Sequence, residues 1–328
     1  MVSLYLDSNV VFRLEQEATL LAALETAQRL RSVRVVIGWT TVWELAGAVS
    51  RKPDVVVKAR VDAGVVLRLL EMGAKLARSP WNVAVEALRR PYADRWKDNG
   101  VLIHSSDEQT DAVETLRGIA AGTRDNDVRY WYERTFAIAE RFREAECRYL
   151  QKIRGLAGDK KPKIVSSLTA SLDSLEARGW LPAATAAVAA KLGERRKRPT
   201  ELTSDWFGPL GRVMRASIGF SMLHATKPSR ARVHPKDSDY ADVMHVVGGG
   251  LVRRFVTADS TAKQVFDATW PSRSRSAMTF PDDFRRFVAT LGVKLSSPAP
   301  TRTPPPAPPA ASFSALRPSR TRSAPRGS

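Results

Sequence analysis

The chain has 328 residues, of which 43% are hydrophobic and 26% charged, a composition typical of a folded protein large enough to bury a core. Its formal net charge is +18, and the last 32 residues contribute five arginines and no acid, so the rest still carries +13. Such an excess favours a polyanionic partner, nucleic acid above all, although an anionic membrane surface also fits. No apolar run approaches the roughly 20 residues of a membrane span, and a single cysteine, Cys147, excludes an intramolecular disulfide and suits a reducing cytoplasm.

The N-terminal segment predicts strands that alternate with helices. VSLYLD has the pattern of a buried strand ending at Asp7, and apolar residues then recur at helical spacing from Val10 to Arg31. VRVVIGW is rich in β-branched residues and predicts a second strand, after which Thr40 and Thr41 open a helix with Glu44 in its first turn. This order predicts a three-layer α/β/α fold with a small parallel sheet, whose functional groups gather at the carboxyl ends of the strands.

Residues 53–234 show helical periodicity almost throughout, for example in VVLRLLEMGAKLA and WNVAVEALRR, and predict a large helical insertion. Two basic runs in this region are candidate nucleic-acid contacts, with a solvated loop as the alternative. They comprise Arg195, Arg196, Lys197 and Arg198, and then Lys227, Arg230 and Arg232.

The alternating pattern resumes near residue 235. SDYADVMHVVGGGLV predicts a helix that stops at the glycines Gly248–Gly250, and RRFVTADS predicts a strand that ends at Asp259. FRRFVATLGVKL closes an α/β domain made of residues 1–52 and 235–296. The tail, residues 297–328, holds nine of the 20 prolines and predicts disorder.

Four acids stand out by their local context: Asp7, Glu44, Asp242 and Asp259. If the flanking strands are neighbours, these carboxylates meet at one edge of the sheet, where their repulsion calls for a hard cation such as Mg²⁺ or Mn²⁺. Structural alternatives remain open for three of them. Asp7 could cap a helix, Glu44 suits a first helical turn without any function, and Asp239 lies one turn before Asp242 on the same face.

Four segments, LYLDSNVV, TTVWELAGA, YADVMHVV and FVTADS, resemble in order the sequence blocks of PIN-domain nucleases. That family opens with a strand carrying Asp, then Ser or Thr, then Asn, and its second block has a Glu after a Ser/Thr-rich helix start. Its third block has an Asp three residues before a His, and its fourth is a strand ending Thr-x-Asp. The matching residues here are Asp7, Ser8, Asn9, Glu44, Asp242, His245, Thr257 and Asp259.

The resemblance covers about residues 1–52 and 235–295. It implies a small parallel sheet between helices, cleavage of RNA with Mg²⁺ or Mn²⁺ at the four acids, and support from Ser8, Asn9, His245 and Thr257. It also implies a homodimer and an antitoxin-like protein partner. The long helical block between the second and third acids departs from the family toxins, which are far shorter, and argues against the antitoxin.

Competing functions remain open from the sequence. A nucleic-acid-binding module of the same fold that has lost catalysis is the main alternative to an endoribonuclease, and retention of all four acids argues against it. A phosphatase-type hydrolase with a nucleophilic aspartate commonly uses a second Asp two positions on, where this chain has Asn9. A serine hydrolase is unsupported, because the chain has no Gly-x-Ser-x-Gly motif.

Overall fold

Helices surround a small sheet in the computed structural model, which describes residues 1–51, 55–89, 106–123, 125–130, 132–133, 167–191, 208–226, 237–271 and 274–291. The strands are β1 Val2–Leu6, β2 Val33–Gly38, β3 Lys75–Ala77, β4 Arg254–Thr257 and β5 Ser276–Thr279. The helices are α1 Ser8–Leu14, α2 Ala18–Arg29, α3 Trp39–Arg51, α4 Val56–Glu71, α5 Pro80–Arg89, α6 Ser106–Ala121, α7 Leu168–Ala177, α8 Trp180–Lys191, α9 Pro209–Thr226, α10 Asp237–Val252, α11 Ser260–Thr269 and α12 Asp282–Thr290. Among these helices, none has the length and apolar content needed to cross a bilayer.

The sheet is parallel, with the strand order β3-β2-β1-β4-β5. β1 is central, and its last residue, Leu6, lies level with Ile37 on β2 and Val256 on β4. The chain adds strands on one side of β1 as far as β3 and then returns to place β4 on the other side. The crevice at the carboxyl ends of β1 and β4, where strand order reverses, is where parallel α/β sheets bind their ligands. The predicted α/β class with a small parallel sheet is therefore confirmed.

Two strands were not predicted from the sequence. The segment VVLRLLEMGAKLA was expected to be helical throughout, but α4 ends at Glu71 and Lys75–Ala77 pairs with β2. Gly73 makes this reversal, since it adopts a left-handed φ of 94° that L-residues avoid. Residues 53–234 therefore contribute a strand to the sheet as well as helices. β5 follows α11 and pairs with β4 at the opposite edge.

The three consecutive glycines of α10 do not stop the helix, so that prediction was wrong. α10 continues to Val252, and its glycines allow it to approach the sheet and α11 closely. A Cβ on Gly248 would stand 2.8 Å from the Tyr5 ring, and one on Gly249 would stand 2.6 Å from Phe255. Only a helix without side chains at these positions can lie this close to β1 and β4, and this approach fixes where the preceding turns of α10 lie.

The predicted disordered tail, residues 297–328, lies outside the described residues. The same holds for both basic runs, namely Arg195, Arg196, Lys197 and Arg198, and Lys227, Arg230 and Arg232.

Candidate functional site

Asp7 lies at the carboxyl end of the central strand. Its backbone N–H donates to the Val256 carbonyl at 3.0 Å, which continues the pairing between β1 and β4 for one residue. Its side chain is only 2% exposed and accepts a hydrogen bond of 2.6 Å from the hydroxyl of Thr257. Although Asp7 occupies the N-cap position of α1, its carboxylate makes no capping hydrogen bond. The alternative of a simple helix cap therefore does not describe this residue.

Asp259 follows β4 at the same edge of the sheet and is the N-cap residue of α11. Its Oδ1 accepts hydrogen bonds from the backbone N–H groups of Thr261, at 2.6 Å, and Ala262, at 3.3 Å, and so caps α11. Its own backbone N–H donates to the Thr257 hydroxyl at 3.0 Å. Thr257 is thus a bridge that ties the Asp259 backbone to the Asp7 carboxylate.

Glu44 reaches the same place from α3. Glu44 was expected in the first turn of this helix. The helix begins at Trp39, however, so Glu44 lies beyond the first turn, and the helix dipole does not explain the presence of an acid there. Its Oε2 accepts a hydrogen bond from the Ser8 hydroxyl and lies 2.9 Å from Nε2 of His245. The Ser8 hydroxyl also lies 3.3 Å from that of Thr41, one turn before Glu44.

His245 is the buried cation of the site. It is 1% exposed, its Nε2 lies 2.6 Å from the Ser8 hydroxyl, and its Nδ1 lies 3.1 Å from the hydroxyl of Tyr5. Burial alone lowers the pKa of His245, but the charge of Asp7, 3.8 Å from Nε2, and the hydrogen bond and charge of Glu44 outweigh it and raise that pKa to about 8. An imidazolium here donates from both nitrogens and offsets part of the negative charge.

Asp242 precedes His245 by three residues on α10 and faces the same carboxylates. Burial, and then the charges of Glu44 and Asp7, raise the pKa of Asp242 to about 8. Burial also raises the pKa of Asp7, against the opposing effects of His245 and Thr257, and Glu44 and Asp259 raise it further. The side chain of Asp239, the alternative to Asp242, lies outside the described residues.

The structure thus brings together seven of the eight predicted site residues: Asp7, Ser8, Glu44, Asp242, His245, Thr257 and Asp259. Asn9 is the exception, because it is exposed on α1 and makes no hydrogen bond with this cluster in the described part of the chain. Two contributors escaped the sequence prediction. Tyr5 lies two residues before Asp7, on the same side of the strand, and Thr41 lies three residues before Glu44, on the same face of its helix. Those spacings were the available signals.

The donor set suits a hard divalent cation, since it consists of carboxylate oxygens that repel one another in a largely buried place. Within the described residues, however, no three Asp, Glu, His or Cys side chains already stand as ligands of one ion. Glu44 is turned towards Ser8 and His245, and Asp259 towards the first turn of α11. Binding of a cation therefore requires these two side chains to exchange hydrogen bonds for metal contacts.

Comparisons of the chain with family models, with curated proteins and with solved structures found no significant match. Fold and site together define an α/β protein with a buried acidic cluster at the switch point of a parallel sheet.

Proposed function

We propose that this chain is a metal-dependent endoribonuclease with a PIN-like three-layer α/β/α fold and a large helical insertion. Asp7, Glu44, Asp242 and Asp259 hold Mg²⁺ or Mn²⁺, and the reaction is hydrolysis of a phosphodiester bond. The observation that carries the proposal is the meeting of these carboxylates at the carboxyl ends of β1 and β4. Burial, and then the charges of Glu44 and Asp7, raise the pKa of Asp242 there to about 8. Acids are gathered at such expense to stability where a positive charge is to be bound.

The chemistry follows from what each group can do. When bound, a divalent ion would lower the pKa of a water ligand and neutralise charge that develops on the phosphate. The chain's own residues hold the ligands in place. Thr257 fixes one oxygen of Asp7 through its hydroxyl, and Ser8 and His245 hold the Glu44 carboxylate beside the same cluster.

A phosphodiester is the substrate class that best suits the rest of the molecule. A net charge of +18 attracts a polyanion, whereas the acidic cluster alone would repel one. The choice of RNA over DNA rests on the resemblance of the four acid-bearing segments to PIN-domain nucleases. The sequence-level alternative, a PIN-like module that binds nucleic acid without cutting it, agrees with the present engagement of Glu44 and Asp259 in other hydrogen bonds.

The test is an incubation of the full chain with single-stranded and with structured RNA, in Mn²⁺, in Mg²⁺ and in EDTA. We expect cleavage that requires the metal and falls at least a hundredfold in Asp7→Asn and in Asp242→Asn, because one ligand charge is lost in each. Asp267→Asn is the matched control, since Asp267 is exposed on α11 and pairs only with Lys263 within the described residues. Tight RNA binding with no metal-dependent cleavage would favour the binding module and overturn the nuclease.

A further inference from the structure

The edge of the sheet opposite the acidic cluster carries a row of exposed cations. Arg29 and Arg31 precede β2, Lys75 opens β3, and Arg253 precedes β4. All four side chains are exposed, and none forms an ion pair or side-chain hydrogen bond within the described residues. Glu71, which ends α4 at the same edge, is exposed and pairs with none of them. We call these four residues the basic edge.

Three helix-to-strand loops at this edge share one backbone feature, and the type of residue that adopts it differs among them. Each ends a helix with a residue in the left-handed conformation before the next strand begins: Arg31 at φ 54°, Gly73 at φ 94° and Arg253 at φ 80°. In the loop before β3 this residue is glycine, the one residue that adopts the conformation without strain. In the loops before β2 and β4 it is arginine, which is strained there.

No hydrogen bond or ion pair within the described residues calls for arginine at these two strained positions. The Arg31 and Arg253 side chains are exposed and touch no described partner, whereas Gly73 at the equivalent position has open space around its Cα. A residue whose backbone is strained and whose side chain makes no described interaction within the protein points to a role in binding another molecule. What the two positions share is a guanidinium projecting into solvent at the same edge of the sheet.

We infer that the basic edge is a second nucleic-acid contact, which binds the phosphate backbone of an RNA strand away from the acidic cluster. Lys75 opens β3, and Arg31 and Arg253 lie just before β2 and β4. From β3 to β4 the sheet spans three strand-to-strand spacings, about 14 Å. Cations arranged in a line over that distance suit a linear polyanion with one charge per nucleotide. Guanidinium groups can also bind phosphate oxygens through two hydrogen bonds.

An anionic membrane is the competing ligand for a basic surface. Two large apolar side chains are exposed at this edge, Leu30 at 65% and Met1 at 67%. Membrane-surface binding relies on a broad apolar face beneath the cations, whereas isolated exposed apolar residues are ordinary on protein surfaces. The linear arrangement of the cations favours RNA. Binding to phosphatidylserine vesicles is measured as the second arm of the test.

The test measures binding of a short fluorescein-labelled single-stranded RNA to the full chain in EDTA, over a range of salt concentrations. The Arg31→Gly/Arg253→Gly double variant relieves the strain while it removes both charges. We expect its melting temperature to be equal or higher, its affinity to fall on the order of tenfold, and the slope of log affinity against log salt to shrink by about 1.4. Arg31→Lys/Arg253→Lys keeps both charges and should retain most of the affinity.

Arg178→Gly is the matched control. Arg178 is exposed and without a described side-chain partner at the end of α7, but this helix leads into α8 rather than into the sheet, and the left-handed position beside it is already Gly179. Unchanged RNA binding in the double variant would overturn the proposal. So would an equal loss in Arg178→Gly, which would indicate a bulk charge effect, or a loss confined to phosphatidylserine vesicles. Because EDTA removes any metal, this result is independent of whether the chain cleaves RNA.

Discussion

The Thr257 hydroxyl donates a 2.6 Å hydrogen bond to Oδ2 of Asp7, and so joins residues 250 positions apart in the chain. The hydroxyl oxygen of Thr257 also accepts a hydrogen bond from the backbone N–H of Asp259. Thr257 is completely buried and Asp7 is 2% exposed, so little water can replace this hydrogen bond at the Asp7 carboxylate. One hydroxyl therefore sets the relative position of the acids that follow β1 and β4.

Thr257→Val should damage the site while it preserves shape. Valine keeps the volume but leaves Oδ2 of Asp7 without its donor, so we expect the free energy of unfolding to fall by about 1–3 kcal/mol. The pKa of Asp7 should rise further, because the Thr257 hydrogen bond is one of the effects that lower it. Urea unfolding measures the change in the free energy of unfolding. We also expect metal-dependent RNA cleavage by this variant to fall by at least about tenfold. Thr257→Ser keeps the hydroxyl and should retain most of both properties. Equal behaviour of the two variants would contradict this account of Thr257.

Asp242 should make the metal-free protein less stable as pH rises. Its folded-state pKa is about 8 and its usual value is 3.8, so the folded chain keeps a proton that the unfolded chain releases. The stability that this proton confers is complete below pH 4 and is lost as pH rises through about 8. His245, whose pKa is also raised to about 8, adds a loss of the same sign between about pH 6.5 and 8. Glu44, Asp7 and Asp259 are the charges that face both groups.

Asp242→Asn removes the larger of these two effects. In EDTA at pH 8 we expect it to unfold later in urea than the unchanged chain, by a free energy on the order of a few kcal/mol, and this advantage should vanish near pH 4. Excess Mn²⁺ should raise the melting temperature of the unchanged chain at pH 8 but not that of Asp242→Asn. Asp267→Asn serves again as the exposed control. A constant difference between Asp242→Asn and the unchanged chain across this pH range would contradict the buried-carboxyl explanation.

The sequence carried enough information to find the acids but not the whole sheet. Asp7 and Asp259 each follow a β-branched or apolar run, and local pattern locates strand ends well. β3 escaped because its three residues lie in a segment whose apolar spacing continues that of α4. The pairing of Lys75 with Val36 that makes it a strand is a long-range contact that no local window contains.

The glycines of α10 show a second limit of local patterns. Three glycines in a row weaken a helix by their intrinsic propensity, and for that reason they were taken as its end. The structure keeps the helix because the loss in propensity is offset by packing against Tyr5, Phe255 and Trp270, which any Cβ would obstruct. Only the positions of these three aromatic side chains, far apart in the chain, distinguish a helix stop from a close contact.

The ionisation of His245 should report directly on Glu44. The chain has four histidines, so proton NMR of their ring Cε1 hydrogens is tractable. In the metal-free protein we expect one histidine to titrate with a pKa of about 8. In Glu44→Gln that pKa should fall, because burial still lowers it while a hydrogen-bonded anion has become neutral. Glu86→Gln changes a half-buried acid on α5 that pairs with Arg78, and it should leave the histidine pKa unchanged. A histidine pKa that is the same in Glu44→Gln and in the unchanged chain would contradict the hydrogen bond between His245 and Glu44.

Gly250→Ala and Gly64→Ala test whether α10 needs glycine for space. Both residues lie inside helices, so propensity alone makes alanine stabilising by about 0.5–1 kcal/mol at each. A Cβ at Gly64 meets nothing within 4 Å, and there the gain should appear in full. At Gly250 the Cβ would stand 2.0 Å from the Trp270 indole, which is 3% exposed and has Arg212 and Arg275 over its ring at 5.0 and 4.6 Å. Overpacking should then outweigh propensity, and we expect a net loss of about 1–3 kcal/mol in urea unfolding. Changes of the same sign in the two variants would mean that α10 does not lie against the sheet and α11 as closely as described.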